Sequence, residues 1–119
     1  MKQKLLSSLL ILLFFAGISF AQSVKEDFKT AETNQDGKEY PMVNSERRIR
    51  AQVIAPDADT VKFDISAVKY NLVKDENGIW TGITDPQDEG FHYYQIWVDG
   101  AAVPDPNSLY YFGAMRWGS

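Results

Sequence analysis

Turn signals recur along this chain at intervals too short for ordinary helices. They are Ala55-Pro56-Asp57-Ala58-Asp59, Asp75 to Gly78 with its Asn77-Gly78 pair, Asp85 to Gly90, Asp99-Gly100, and Pro104-Asp105-Pro106. Each combines residues that favour tight turns: proline sets φ early in a turn, glycine tolerates positive φ, and Asp or Asn bonds the local backbone. Between them lie alternating runs of strand length, roughly four to eight residues. In Arg47 to Ala55, Ile49, Ala51 and Val53 point one way and Arg48, Arg50 and Gln52 the other. Thr60 to Ile65 sets Val61, Phe63 and Ile65 against Lys62 and Asp64, and Val68 to Val73 repeats the pattern through Val68, Tyr70 and Leu72. Ile79 to Gly82 is a short strand carrying Trp80, and Leu109 to Phe112 is a candidate last edge strand. Side chains alternate faces along a strand, so each run has one face for a core. Short connections allow only antiparallel pairing. The expectation is an all-β, immunoglobulin-like antiparallel β-sandwich.

Gly90 to Pro106, GFHYYQIWVDGAAVPDP, is the richest of these stretches. It reads as a strand, a turn at Asp99-Gly100 and a short return. His92, Tyr94, Ile96 and Val98 fall on one face; Phe91, Tyr93, Gln95 and Trp97 fall on the other. Parity therefore sends His92 inward with Tyr94 as a buried histidine. The second face is too aromatic for an ordinary solvated one.

Residues 1–21 have the pattern of a secretory signal peptide: two lysines, the apolar run Leu5 to Phe20, and Ser19-Phe20-Ala21 ahead of the expected cleavage after Ala21. This predicts a secreted or periplasmic protein. The chain contains no cysteine, which leaves neither a disulfide framework nor a lipoprotein anchor. Removing residues 1–21 takes Lys2 and Lys4 and leaves ten basic against sixteen acidic residues, a formal charge of −6. That argues against nucleic acid, whose phosphates select basic surfaces, and against an anionic membrane surface. Residues 22–39 are polar, with little apolar periodicity, and are expected to be a flexible leader. Residues 40–112 would form the module and residues 113–119 a linker.

Chemistry-bearing constellations are sparse. No Gly-x-Ser-x-Gly elbow follows the leader, and a triad of Ser108, His92 and Asp105 would need strand ends to converge by chance. The acidic clusters Asp57/Asp59 and Asp85/Asp88/Glu89 lack the spacing of a known calcium loop, so neither a metal nor a cofactor is expected. Arg47, Arg48 and Arg50 read as a solvated strand face. Trp80 is expected to fill the core, and Tyr110, Tyr111, Phe112 and Trp117 to pack on a following domain.

The ordered set Ala55-Pro56-Asp57-Ala58, Gly78-Ile79-Trp80, Gly90-Phe91-His92-Tyr93-Tyr94, Val98-Asp99-Gly100 and Asp105-Pro106 resembles the early-set modules of carbohydrate-binding family 48. The resemblance covers about residues 46–108 and implies a noncatalytic sugar-binding role. Glycogen-binding members carry a tryptophan just after the Val-Asp-Gly turn and a basic residue in the strand before it. Those positions are Ala102 and Gln95 here, so the α-glucan platform is incomplete. Tyr40-Pro41-Met42-Val43, Pro104 to Tyr110 and Gly113 to Ser119 also resemble the N-terminal module of secreted bacterial feruloyl esterases. That likeness implies a catalytic esterase domain beyond Ser119 and xylan or arabinoxylan as ligand.

Sugar rings present apolar C–H faces and polar edges, which aromatic planes and amides match. Tyr93, Gln95 and Trp97 are the candidate carbohydrate-binding residues, a row about 13 Å long. Two readings of the row stay open: it meets saccharide, or it packs against a neighbouring domain for which this module is a spacer. Starch or glycogen binding is a third.

Overall fold

The computed structural model describes residues 23–109, 111–113 and 116–118; the expected signal peptide lies outside them. Among the described residues every regular element is a strand, and none forms a helix that could cross a membrane. The strands are β1 (Lys29–Thr30), β2 (Met42–Val43), β3 (Ile49–Ile54), β4 (Val61–Ile65), β5 (Val68–Asn71), β6 (Val73–Lys74), β7 (Ile79–Ile83), β8 (Tyr94–Val98), β9 (Ala101–Val103), β10 (Tyr111–Gly113) and β11 (Arg116–Gly118). One sheet runs β1-β2-β3-β7-β6 and the other β5-β4-β8-β9, with β10-β11 a separate hairpin. All the pairings are antiparallel. The expected all-β, immunoglobulin-like antiparallel sandwich is the architecture found.

The core lies between the sheets. Val61, Phe63 and Ile65 from β4 and Tyr94 and Ile96 from β8 meet Ala51 of β3 and Trp80 of β7, with Ala58 and Leu72 closing the sides. Phe63 stacks on Tyr94 at 4.5 Å between centroids. β4 and β8 bury alternate residues, so there the period of two in the sequence is the period of the core. Trp80 is 7% exposed and its indole N–H donates to the Ala55 carbonyl at 2.9 Å, which fits the core role expected for it.

Several expectations are corrected. The run from Val68 to Val73 is not one strand. It crosses from one sheet to the other at Leu72, which is buried and whose N–H donates to the Val61 carbonyl. Gly82 makes room for that crossing: a Cβ there would lie 2.5 Å from Leu72 Cδ2. β8 begins at Tyr94 rather than near Gly90, so strand parity does not govern His92. His92 is half-buried instead of sealed in, with Nε2 2.7 Å from the Asp88 carbonyl oxygen.

The flexible leader expected over 22–39 is, from residue 23 onward, tied to the sandwich. Lys29 and Thr30 pair with Val43 and Met42. Gln35 N–H donates to the Asn107 carbonyl and Leu109 N–H to the Thr33 carbonyl, both at 2.9 Å. Arg50 grips Glu26 at 2.9 Å and lies 4.0 Å from the centre of the Phe28 ring. These ties are hydrogen bonds, an ion pair and a cation–ring contact, which leave no apolar period in the sequence. Residues 113–119, expected as a linker, include β11, with Phe112 opposite Trp117 in register.

Candidate functional site

The outward face of the β5-β4-β8-β9 sheet carries the candidate site. Its make-up follows from alternation: with Val61, Phe63, Ile65, Tyr94 and Ile96 turned inward, Lys62, Asp64, Gln95 and Trp97 must point out. Strand register then sets neighbours. Trp97 stands between Lys62 of β4 and Ala102 of β9; Gln95 stands opposite Asp64, and Asp64 opposite Lys69 of β5. Two tight turns fix that register. Ser66 and Ala67 both take positive φ, 53° and 62°, between β4 and β5, and Asp99 and Gly100 take 48° and 86° between β8 and β9. Two consecutive residues at positive φ make a type I′-like hairpin, whose twist matches that of the strands.

Trp97 is half-buried. Its indole N–H donates to Asp64 Oδ2 at 2.9 Å, and the Lys69 ammonium lies 4.6 Å from the ring centre. The same ammonium is 3.7 Å from Asp64 Oδ2. Asp64 is therefore the joint of the face, holding an aromatic edge and a cation at once. Beside it Thr60, Lys62, Lys69, Trp97 and Gly100 enclose a shallow cleft of about 190 Å³. Asp99 braces the end of that cleft by accepting the Asp59 and Thr60 N–H groups on Oδ1, each at 2.8 Å.

Of the three residues singled out by sequence, Gln95 and Trp97 lie on β8 with their side chains on this face. Tyr93 precedes the strand, is 56% exposed, and sits edge-on to Phe91 at 5.0 Å. Asp64, Lys62 and Lys69 were not singled out. The alternation of Val61 to Ile65 marks Lys62 and Asp64 as outward, but only the sheet order places them beside Trp97.

The other chemistry-bearing residues go elsewhere. Tyr94 Oη donates to Asp105 Oδ2 at 2.8 Å, and Asp105, 2% exposed, also accepts the Asn107 N–H on Oδ1. Burial pushes the Asp105 carboxyl above the usual carboxylate range; burial first, and the facing carboxylate second, push the Tyr94 phenol up. Ser108 is buried with Oγ directed at the Thr33 and Leu109 carbonyls. Asp105 and Ser108 both meet the Tyr94 hydroxyl, whereas His92 turns to the Asp88 carbonyl, so the three do not form a Ser-His-Asp relay. Among the described residues no three Asp, Glu or His side chains converge to hold a metal ion.

No protein-family model matches the sequence. The chain is 48% identical over 99 residues to an endo-1,4-beta-xylanase/feruloyl esterase of Xylanibacter ruminicola, a match covering 80% of this chain. The chain spans about 14% of the length of that relative. Among solved structures, the Group B Streptococcus pullulanase SAP with maltotetraose matches over 73% of this chain and 12% of its own, at 20% identity and a TM-score of 0.44. The catalytic module of the pneumococcal glycogen-degrading SpuA matches over 73% of this chain and 13% of its own, at 21% identity and a TM-score of 0.41.

Proposed function

We propose that this chain is a noncatalytic carbohydrate-binding module, of the family 48 kind, that takes xylan-type plant polysaccharide as the N-terminal appendage of an exported esterase. The observation that carries the reading is the Trp97 ring, held by Asp64 on an outward sheet face beside Gln95. An indole fixed at its N–H offers a flat apolar surface at little entropic cost, and the amide of Gln95 can bond ring hydroxyls. The similarity to part of a xylanase/feruloyl esterase supports a β-linked xylan chain over an α-glucan. Ala102, opposite Trp97, supplies no second aromatic plane for an α-glucan to bridge. The mechanism is proximity: a tethered catalytic domain works at a higher effective concentration on an insoluble polymer.

Affinity electrophoresis through soluble arabinoxylan tests this. The folded chain is expected to be retarded, and Trp97→Ala to migrate as in a blank gel. Unretarded wild-type protein would overturn the reading, and retardation by amylopectin alone would make the ligand an α-glucan.

A second reading, a spacer that packs on a catalytic domain, is favoured by a different observation. Ile54 and Val73 on the first sheet are 75% and 74% exposed, and large apolar exposure of this kind accompanies contact with a partner. The two readings use different faces, so the gel result with Trp97→Ala distinguishes them.

A further inference from the structure

The cleft beside Trp97 runs against the net charge of the chain. The sequence carries sixteen acidic against twelve basic residues, yet the five lining residues include two lysines and no carboxylate. Lys69 is engaged by Asp64 at 3.7 Å. Lys62 has no ion-pair partner among the described residues, and it is half-buried and lines the cleft. By register it lies directly opposite Trp97, with Asn71 on its other side.

We infer that the saccharide this face takes carries a carboxylate: a uronic-acid-substituted chain whose ring lies on Trp97 while its acid group meets Lys62 and Lys69. The inference rests on the saccharide-binding reading and narrows its ligand. A neutral sugar would use the indole and leave Lys62 without an acidic partner. A carboxylate would pair with it, and an ammonium–carboxylate hydrogen bond is stronger than a neutral one. The nearby acids do not cancel this. Asp64 is already shared by the Trp97 N–H and Lys69, and Asp99 turns one carboxylate oxygen to the backbone of Asp59 and Thr60. Asp59, exposed on the turn beside Thr60, is the remaining opposing charge and limits the gain.

Affinity electrophoresis with three polymers tests the inference: glucuronoxylan, the same glucuronoxylan with its carboxyl groups reduced to alcohols, and neutral arabinoxylan. Native glucuronoxylan is expected to bind about three-fold more tightly than its reduced form, the scale of a partly exposed charge pair. Lys62→Gln should erase that difference, Lys69→Gln should shrink it, and added salt should shrink it too. Circular dichroism and urea unfolding confirm that both variants are folded. Equal retardation by native and reduced glucuronoxylan, abolished by Trp97→Ala, would overturn the acid preference and leave the saccharide reading standing. No retardation by any of the three polymers would overturn both. Retardation by polyacrylate that survives Trp97→Ala would also overturn it, as charge attraction without a sugar.

Discussion

Trp80 and Trp97 are held in nearly the same way and end in different places. Each indole N–H donates at 2.9 Å, Trp80 to the Ala55 carbonyl and Trp97 to Asp64 Oδ2, and each ring has a lysine ammonium nearby, Lys74 at 5.8 Å and Lys69 at 4.6 Å. Trp80 faces into the sandwich and Trp97 faces out of it. An indole N–H must be satisfied in either setting, so the hydrogen bond alone does not separate a core tryptophan from a ligand platform. The acceptor does. A backbone carbonyl ties Trp80 to the fold, whereas a side-chain carboxylate ties Trp97 to a residue that can change without disturbing the sheet.

The comparison breaks most sharply by truncation. Trp80→Ala should cost about 3–5 kcal/mol of folding stability, because it empties the core between β3 and β4. Trp97→Ala should cost under about 1 kcal/mol while removing saccharide retardation. Urea unfolding and affinity gels on both variants check the pair. A Trp97→Ala chain as unstable as Trp80→Ala would make both tryptophans structural.

A second test concerns the buried pair at the start of β8, where Tyr94 meets Asp105. Tyr94→Phe leaves a buried carboxylate without its phenol donor and should cost about 1–3 kcal/mol at neutral pH. The pH dependence of Asp105 runs opposite to that of a salt-bridged carboxylate. Its folded pKa is raised from 3.8, so its contribution to stability is full below pH 3.8 and is lost as pH rises through the folded value. Urea midpoints measured from pH 3 to 7 should therefore show Asp105→Asn costing most in acid and less toward neutrality. A cost that grows with pH would mean the carboxylate is stabilised as an anion. At each pH, saccharide binding by the folded fraction of Asp105→Asn should match that of the wild type.

How far the sequence alone reached follows the same division. Alternation in β3, β4 and β8 showed which residues turn inward and set Trp97 outward, whereas the core role of Trp80 on β7 was expected from its residue type alone. Alternation carries no information about which strands become neighbours. Asp64 and Lys69 therefore could not be linked to Trp97 until β4 was seen between β5 and β8. The rule also fails beyond a strand's end, as His92 shows, and at a crossing, as Leu72 shows. The docked leader was invisible for a further reason: much of its hold runs through backbone groups, as at Thr33 and Gln35, which every residue carries.

Asp64 gives a finer test of the Trp97 platform. Asp64→Ala frees the indole N–H and the Lys69 ammonium together and should weaken saccharide binding several-fold, at a stability cost of about 0.5–1 kcal/mol. Asp64→Asn keeps an acceptor for the indole and should retain most of the binding. Tryptophan fluorescence reports the difference, since a released Trp97 shifts its emission while Trp80 and Trp117 are common to both variants. Equal binding by both variants would mean that Trp97 needs no joint.

The smallest effect expected lies in the turn that sets Lys69 opposite Asp64. Ser66 and Ala67 hold positive φ without being glycine, a conformation that costs a β-carbon-bearing residue about 1 kcal/mol. Ala67→Gly relieves part of that strain, although glycine also gains freedom in the unfolded chain, so the net gain should be a few tenths of a kcal/mol. Ala67 touches neither tryptophan's acceptor, and register is kept because the loop length does not change. Urea unfolding should therefore move slightly toward higher stability while retardation by xylan stays as in the wild type. Loss of binding on this change would show that the Trp97 face depends on the strain of its hairpin, and the two tryptophans would then differ in backbone tension as well as in acceptor.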